Sequence, residues 1–81
     1  SVLATEIKGS VISLAKYGLT GRQISLTLDY IYKQTSYKKL SEEYGLSISL
    51  VKKEFSEIFK TFEVTKIEEL KMLLLQYQVT E

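Results

Sequence analysis

The stretch that decides the fold is Ser36–Phe62, SYKKLSEEYGLSISLVKKEFSEIFKTF, in which two short amphipathic segments are separated by a single glycine. Gly45 can end the first segment in the left-handed conformation, which glycine adopts without the steric cost of a Cβ atom. Ser47 or Ser49 can then cap the free N–H groups of a second helix. The stretch therefore predicts two helices joined by a tight turn, a helix-turn-helix pattern.

The second of these helices is predicted to carry one apolar and one basic face. Its apolar residues recur at intervals of four, three, one and three, which places them on one side of a helix. At about 100° per residue, the opposite side carries hydroxyls and long cations, which suit a helix in a DNA groove because lysines reach phosphates or guanine edges. Plain solvent exposure is the alternative. The inward residues are Val51, Phe55, Ile58, Phe59 and Phe62, and the predicted DNA contacts are Ser49, Lys52, Lys53, Ser56 and Lys60.

The composition excludes several kinds of chemistry. The chain of 81 residues is long enough for one small domain, which must use every apolar face to build a core. It has no cysteine and no histidine, so the usual zinc, disulfide and thiolate arrangements and Ser-His or Cys-His catalysis are absent. We therefore expect no enzyme, metal or cofactor. No apolar run reaches the roughly 18 residues of a membrane span and no signal-like segment is present, so the expected location is cytoplasmic.

The net charge of +1, from eleven Lys and Arg against ten Asp and Glu, is low for a DNA-binding protein. The placement of charges matters more than their sum, and Glu54 and Glu57 lie along one flank of the predicted recognition helix. The main alternative is that the helix-turn-helix fold is a protein–protein interaction module with weak or no DNA binding. A DNA-binding fragment of a recombinase or transposase is a third reading.

The rest of the chain is predicted to brace this pair of helices. Residues 1–18 form a lead-in or linker segment with a short helix around Val11–Ala15. Thr20 and Gln23 form a capping box that opens the next helix. Its apolar positions are Ile24, Leu26, Leu28, Tyr30 and Ile31.

The first helix of the motif and the last helix complete the prediction. Thr35 or Ser36 can cap the former, and Lys38 and Lys39 project from its first turn toward the path of a DNA backbone, with a role in solubility as the alternative. The residues of this helix predicted to point inward are Tyr37, Leu40 and Tyr44.

The last helix is predicted to begin with a capping box of Thr65 and Glu68. Met72 and Leu75 point away from its inward stripe and predict a small dimer contact, with scattered exposure as the alternative. Since no alternating β pattern is present, we expect an all-α, compact four-helix bundle with a short N-terminal lead-in helix. The inward stripe is Ile67, Leu70, Leu73, Leu74 and Tyr77.

Five short blocks, in this order and spacing, resemble the LuxR/GerE-type helix-turn-helix, the DNA-binding output domain of many bacterial quorum-sensing regulators and response regulators. The blocks are LTGR at Leu19–Arg22, KLSEEYGLS at Lys39–Ser47, VK at Val51 and Lys52, SEIFKTFEV at Ser56–Val64 and EEL at Glu68–Leu70.

The resemblance covers residues 19–81 and implies a four-helix domain whose third helix, about residues 48–62, enters the major groove of double-stranded DNA. It matches Lys52, Lys53 and Ser56 to groove-facing positions. It also implies a homodimer through the last helix, where Met72 and Leu75 lie, and an upstream receiver or sensor domain in the intact protein. The sequence departs from the family pattern at Leu50, Glu54, Glu63 and Ile67, and the family often has glycine in place of Glu63.

Overall fold

The computed structural model describes residues 2–81, along which the chain forms four α-helices, one 3₁₀-helix and two short strands. The elements run in the order β1 (Val11–Ser13), the 3₁₀-helix (Leu14–Tyr17), α1 (Gly21–Tyr32), α2 (Tyr37–Tyr44), α3 (Ile48–Phe62), α4 (Ile67–Leu74) and β2 (Gln78–Thr80). The four predicted helices are present, and the fold is mostly rather than purely α-helical.

The two strands join the ends of the described chain into a small parallel sheet. Ile12 is opposite Val79, and both side chains are buried. The predicted lead-in helix is therefore wrong for Val11–Ser13, which is extended, and only Leu14–Tyr17 turns as a 3₁₀-helix. The physical reason is that two β-branched residues gain both a ladder partner and a buried position by pairing with the end of the chain.

The first three α-helices begin as the sequence predicts. The Thr20 hydroxyl accepts a hydrogen bond from the Gln23 N–H at 3.2 Å, and the Gln23 side chain accepts one from the Thr20 N–H at 3.0 Å. Ser36 caps α2, and Ser47 rather than Ser49 caps α3. Gly45 ends α2 with φ 65° in the left-handed region, which confirms the turn glycine.

The start and the end of α4 differ from the prediction. Lys66 is the N-cap, and Glu69 rather than Glu68 reaches back, accepting from the Thr65 N–H at 2.8 Å and its hydroxyl at 2.7 Å. These hydrogen bonds lower the pKa of the Glu69 carboxyl because they stabilise its charged form. The helix ends at Leu74, and Tyr77 closes a turn onto Leu74 before β2 begins.

A single core lies between the helices and the small sheet. Every residue of the predicted inward stripes is buried or partly buried, and the N-terminal segment adds Leu3, Ile12 and Leu14 to the same cluster. Phe55 is at its centre, with ring centroids 5.0 Å from Tyr37 and 5.7 Å from Tyr30. The core therefore holds α3 in place through the buried side of that helix.

Candidate nucleic-acid interface

A three-residue turn, Gly45–Ser47, sets the position of α3 relative to α2. The Gly45 N–H donates to the Glu42 carbonyl at 3.4 Å, and the Leu46 N–H donates to the Ser41 carbonyl at 2.9 Å. Leu46 also packs against the core cluster. These contacts close the end of α2 and lead directly into α3, so the two helices are joined by a turn of three residues.

The buried stripe of α3 determines which of its sides faces outward. Val51, Phe55 and Ile58 are 0% exposed. Since successive helical residues are rotated by about 100°, the side opposite these three must face solvent. The orientation of the helix thus follows from its own apolar periodicity.

All seven side chains predicted to contact DNA are exposed, and we call this set the basic face. Within residues 2–81, none of its lysines forms an ion pair and neither of its serines donates or accepts a side-chain hydrogen bond. By contrast, Arg22 pairs with Glu54 and Lys33 pairs with Asp29. The basic face consists of Lys38 and Lys39 on α2 and Ser49, Lys52, Lys53, Ser56 and Lys60 on α3.

Glu54 and Glu57, the acids on the flank of α3, are tied to the start of α1. The Gln23 amide donates to the Glu54 carboxylate at 3.3 Å and to the Glu57 carboxylate at 3.0 Å. Arg22 lies 3.6 Å from Glu54, whose side chain is only 12% exposed. Sequence reasoning missed this link, although the i, i+3 spacing of the two acids was its one visible signal.

The charges of α2 run against its helix dipole. Lys38 and Lys39 lie in the first turn, at the positive end, and Glu42 and Glu43 lie in the last turn, at the negative end. Helices are stabilised by the reverse order, worth about 0.3–1 kcal/mol per charge. In α4 the order is the favourable one, with Glu68 and Glu69 in the first turn and Lys71 in the last. The stability of α2 therefore does not explain where its lysines are placed.

Three exposed apolar residues lie in α3, in α4 or directly after α4. Met72 and Leu75, the predicted dimer contact, are 72% and 49% exposed, and Leu75 is the C-cap of α4. Ile48, which sequence reasoning did not single out, is 41% exposed at the first position of α3. Its sequence signal was its place three residues before Val51 and seven before Phe55, which continues the buried stripe of α3 by one turn toward the start of the helix.

The candidate site is a surface rather than a cavity. Residues 2–81 enclose no pocket, and no cluster of His, Cys, Asp or Glu among them is arranged to hold a metal ion. Within the same residues, every helix is too short or too polar to cross a bilayer. Comparisons of the chain with protein-family models, curated proteins and solved structures found no match.

Proposed function

We propose that this chain is a sequence-specific DNA-binding domain that inserts α3 into the major groove and acts as the output domain of a bacterial transcriptional regulator. The observation that carries the proposal is the basic face, whose lysines are exposed and form no ion pair within residues 2–81 and which spans two helices joined by a three-residue turn. Unpaired lysines have no internal partner to give up before they meet a phosphate. A helix held in this way can lie in a groove of about 12 Å.

The distribution of the acids supports the proposal despite the net charge of +1. Asp29 is engaged by the Tyr44 hydroxyl at 2.7 Å and by Lys33 at 3.1 Å. Glu54 and Glu57 are engaged by Gln23. Carboxylates held by internal donors repel a polyanion less than free ones, because the partner charge or dipole offsets their field. These three acids therefore offset the charge of the basic face less than their formal charges indicate.

The reversed charges of α2 also favour a polyanionic partner. A phosphate beside the first turn of α2 would meet Lys38, Lys39 and the positive end of the helix dipole together. Without such a partner, this arrangement only lowers the stability of the helix. A DNA backbone is the partner that the helix-turn-helix arrangement brings to this position.

The proposed regulator binds as a homodimer through Met72 and Leu75. A dimer presents two copies of α3 to half-sites about 34–36 Å apart, one turn of DNA. The resemblance to LuxR/GerE-type domains supports this arrangement and implies a receiver or sensor domain upstream of the chain.

Titration of isotope-labelled protein with duplex DNA, followed by amide NMR signals, tests the proposal. We expect the largest shifts at the start of α2 and along residues 48–60, with little change at β1 and β2. Shifts centred on the two strands, or no binding to any duplex in a random pool at low salt, would contradict it.

A protein–protein interaction module is the second candidate, and the 72% exposure of Met72 is the observation that favours it. Large exposed apolar groups rimmed by polar residues mark partner surfaces. This candidate predicts a protein partner that remains bound after nuclease treatment and is lost on Met72→Asp, while Lys52→Ala and Lys53→Ala have no effect. Loss of the partner on nuclease treatment would exclude it.

A further inference from the structure

The small parallel sheet of β1 and β2 has one closed edge and one open edge. On the outer side of β2, the Val79 N–H donates to the Tyr32 hydroxyl at 2.8 Å, so a side chain of α1 closes this edge. On the outer side of β1, Val11 is 61% exposed, and no further strand of residues 2–81 lies beside it. The open edge of the sheet therefore runs along β1.

The register of the sheet shows which main-chain groups point out of the open edge. The Gln78 N–H donates to the Ser10 carbonyl at 2.9 Å. Successive residues of an extended strand direct their N–H and carbonyl groups to opposite edges, so Ile12 also bonds to β2. The N–H and carbonyl of Val11 and the N–H of Ser13 point the other way. None of these three groups has a hydrogen-bond partner in the part of the chain that the structure describes.

The sequence of β1 gives the open edge little protection. Natural edge strands carry charged side chains or proline, or are kept very short, because their unpaired N–H and carbonyl groups can pair with another extended chain. The sequence of β1 is Val-Ile-Ser, without a charge or a proline, so its short length is its one protection. A strand of this kind can bind an extended peptide as an added strand.

Two lysines flank β1 and indicate the charge of the peptide that fits this edge. Lys8 precedes the strand and Lys16 follows it, and both are exposed. Neither forms an ion pair within residues 2–81. The one acid before α1 is Glu6, whose carboxylate accepts a hydrogen bond from the Tyr17 hydroxyl at 3.3 Å. The two ends of the open edge are therefore cationic, which is complementary to a peptide with carboxylates on either side of its paired residues.

We infer that β1 binds an acidic peptide in an extended conformation, which joins the sheet as a third strand. The main chain of the peptide pairs with Val11 and Ser13, and its carboxylates lie near Lys8 and Lys16. A second copy of this chain fits the edge less well. Antiparallel pairing of Val11 with Ser13 of a second copy brings Lys8 of one copy level with Lys16 of the other, and like charges in this position repel. The site shares no residue with the basic face, so the inference does not rest on the proposed DNA binding.

Selection from a random library of short displayed peptides, with the full chain immobilised, tests the inference. We expect the enriched sequences to be acidic and to contain β-branched or aromatic residues, which favour extended strands. An enriched peptide is then synthesised with blocked ends and titrated into isotope-labelled protein. We expect the amide NMR signals of Val11 and Ser13 to shift most and their hydrogen exchange to slow.

Methylation of the peptide's backbone nitrogens shows whether binding depends on main-chain pairing. Methyl groups on alternate nitrogens remove the donors along one edge of the peptide, and two versions of the peptide cover the two edges. We expect one version to bind about tenfold more weakly or worse and the other to bind like the unmodified peptide, because only one edge faces β1. Val11→Pro removes the matching donor from the protein and leaves the bonds to β2 in place, so a similar loss is expected. Circular dichroism and urea unfolding check that this variant is folded.

Two charge-matched variants distinguish the peptide site from the basic face. Lys8→Ala/Lys16→Ala and Lys52→Ala/Lys53→Ala each remove two exposed lysines. We expect the first to weaken peptide binding roughly three- to tenfold while its affinity for DNA stays at the wild-type value. The second is expected to bind the peptide like the wild type. Peptide binding by a chain that binds no duplex would leave this inference standing while the proposed function fails.

Several outcomes would overturn the inference. They are the enrichment of no peptide, enriched peptides without acidic residues, equal binding of the two methylated versions, and largest shifts outside β1. Dimerisation at this edge would also overturn it, and would appear as a sedimentation coefficient that rises with concentration and a Val11 amide that exchanges slowly without peptide. Slow exchange of the Val11 amide only in the presence of the peptide, together with weaker binding by Val11→Pro, establishes the added strand.

Discussion

At the scale of single residues, the turn between α2 and α3 depends on the conformation of Gly45. Its φ is 65°, in the left-handed region that favours glycine. A Cβ atom built there would meet nothing within 4 Å, so the turn needs glycine for its backbone conformation and not to avoid a steric clash. We expect Gly45→Ala to lower the free energy of unfolding by about 1 kcal/mol. Urea unfolding followed by circular dichroism measures this.

Gly21→Ala is the control for Gly45→Ala. A Cβ atom at Gly21 also meets nothing within 4 Å, but Gly21 has no positive φ and is the first residue of α1. We expect this substitution to raise the free energy of unfolding by about 0.4–1 kcal/mol, because alanine restricts the unfolded chain. Equal effects of the two substitutions would contradict the conformational explanation.

Two tyrosines make the stability of the fold sensitive to alkaline pH. Burial, with Tyr30 and Glu68 nearby, raises the pKa of Tyr37 to about 12, and burial with the hydrogen bond to Asp29 does the same for Tyr44. A phenol whose folded pKa exceeds its ordinary value of 10.0 stabilises the fold fully below that pH. This stabilisation is lost as the pH rises toward about 12.

The double variant Tyr37→Phe/Tyr44→Phe tests this pH dependence. We expect its urea midpoint to fall less steeply than that of the wild type between about pH 10 and 12, although its stability at neutral pH is lower because the Tyr44–Asp29 hydrogen bond is gone. Equal steepness in the two proteins would show that other groups cause the alkaline loss.

At the scale of elements, the reversed charges of α2 are expected to act in opposite directions on the stability of the fold and on the affinity for DNA. The double variant Lys38→Glu/Glu42→Lys keeps the net charge and aligns the helix with its dipole. We expect the free energy of unfolding to rise by about 0.5–1.5 kcal/mol and the affinity for DNA to fall about tenfold, since one phosphate contact is lost. Urea unfolding and fluorescence anisotropy measure the two effects.

The mirror exchange in α4 checks the electrostatic part of this prediction. Glu68→Lys/Lys71→Glu reverses charges that already follow the dipole, so we expect the free energy of unfolding to fall. If the exchange in α2 lowered stability as well, the dipole argument would be wrong. If the exchange in α2, Lys38→Glu/Glu42→Lys, left the affinity for DNA unchanged, Lys38 would have no part in binding.

The helices were predictable because their signals are local. Thr20, Ser36, Ser47 and Gly45 each act on backbone groups within a few residues, so the sequence around them contains all the information needed. The strands were not predictable in this way. Each has three residues, too few for an alternating pattern, and pairing Ile12 with Val79 depends on a fold that first brings the two ends of the chain together.

The candidate site likewise has one part that local sequence signals predict and one part that depends on the whole fold. The exposure of Lys52 and Lys53 follows from the helical period of α3 alone. The contact of Gln23 with Glu54 and Glu57 joins residues more than 30 positions apart, and no local pattern shows which helix approaches that flank. Within residues 2–81, the one residue other than glycine with a left-handed backbone is Glu63, whose φ is 59°. The resemblance implied that glycine is common at this position.

At the scale of the whole molecule, the N-terminal segment belongs to the core. Leu3, Ile12 and Leu14 are each at most 3% exposed, and β1 supplies the partner of β2. Each buried aliphatic side chain contributes roughly 1.5–3 kcal/mol against a total stability of about 5–15 kcal/mol. We therefore expect the fragment 19–81 to be largely unfolded by circular dichroism, and a cooperative unfolding transition in this fragment would contradict the expectation.

Two neighbouring residues of β1 provide a matched pair within the full chain. Ile12 is 3% exposed and Val11 is 61% exposed. We expect Ile12→Ala to lower the free energy of unfolding by about 2–4 kcal/mol and Val11→Ala by less than about 0.5 kcal/mol. Similar changes in the free energy of unfolding for the two variants would mean that the burial of Ile12 in the sheet does not stabilise the core.

The central claim, that DNA contacts the α3 residues of the basic face, is tested most directly by the salt dependence of binding in two charge-matched variants. Lys52→Ala/Lys53→Ala and Lys8→Ala/Lys16→Ala each remove two exposed lysines, so each changes the net charge from +1 to −1 (1 − 2 = −1). The affinity for one duplex, measured by fluorescence anisotropy at several salt concentrations, gives the slope of log affinity against log salt. We expect the slope to become shallower by about two for Lys52→Ala/Lys53→Ala and to stay at the wild-type value for Lys8→Ala/Lys16→Ala. Equal slopes for the two variants, or wild-type binding that does not depend on salt, would contradict the claim.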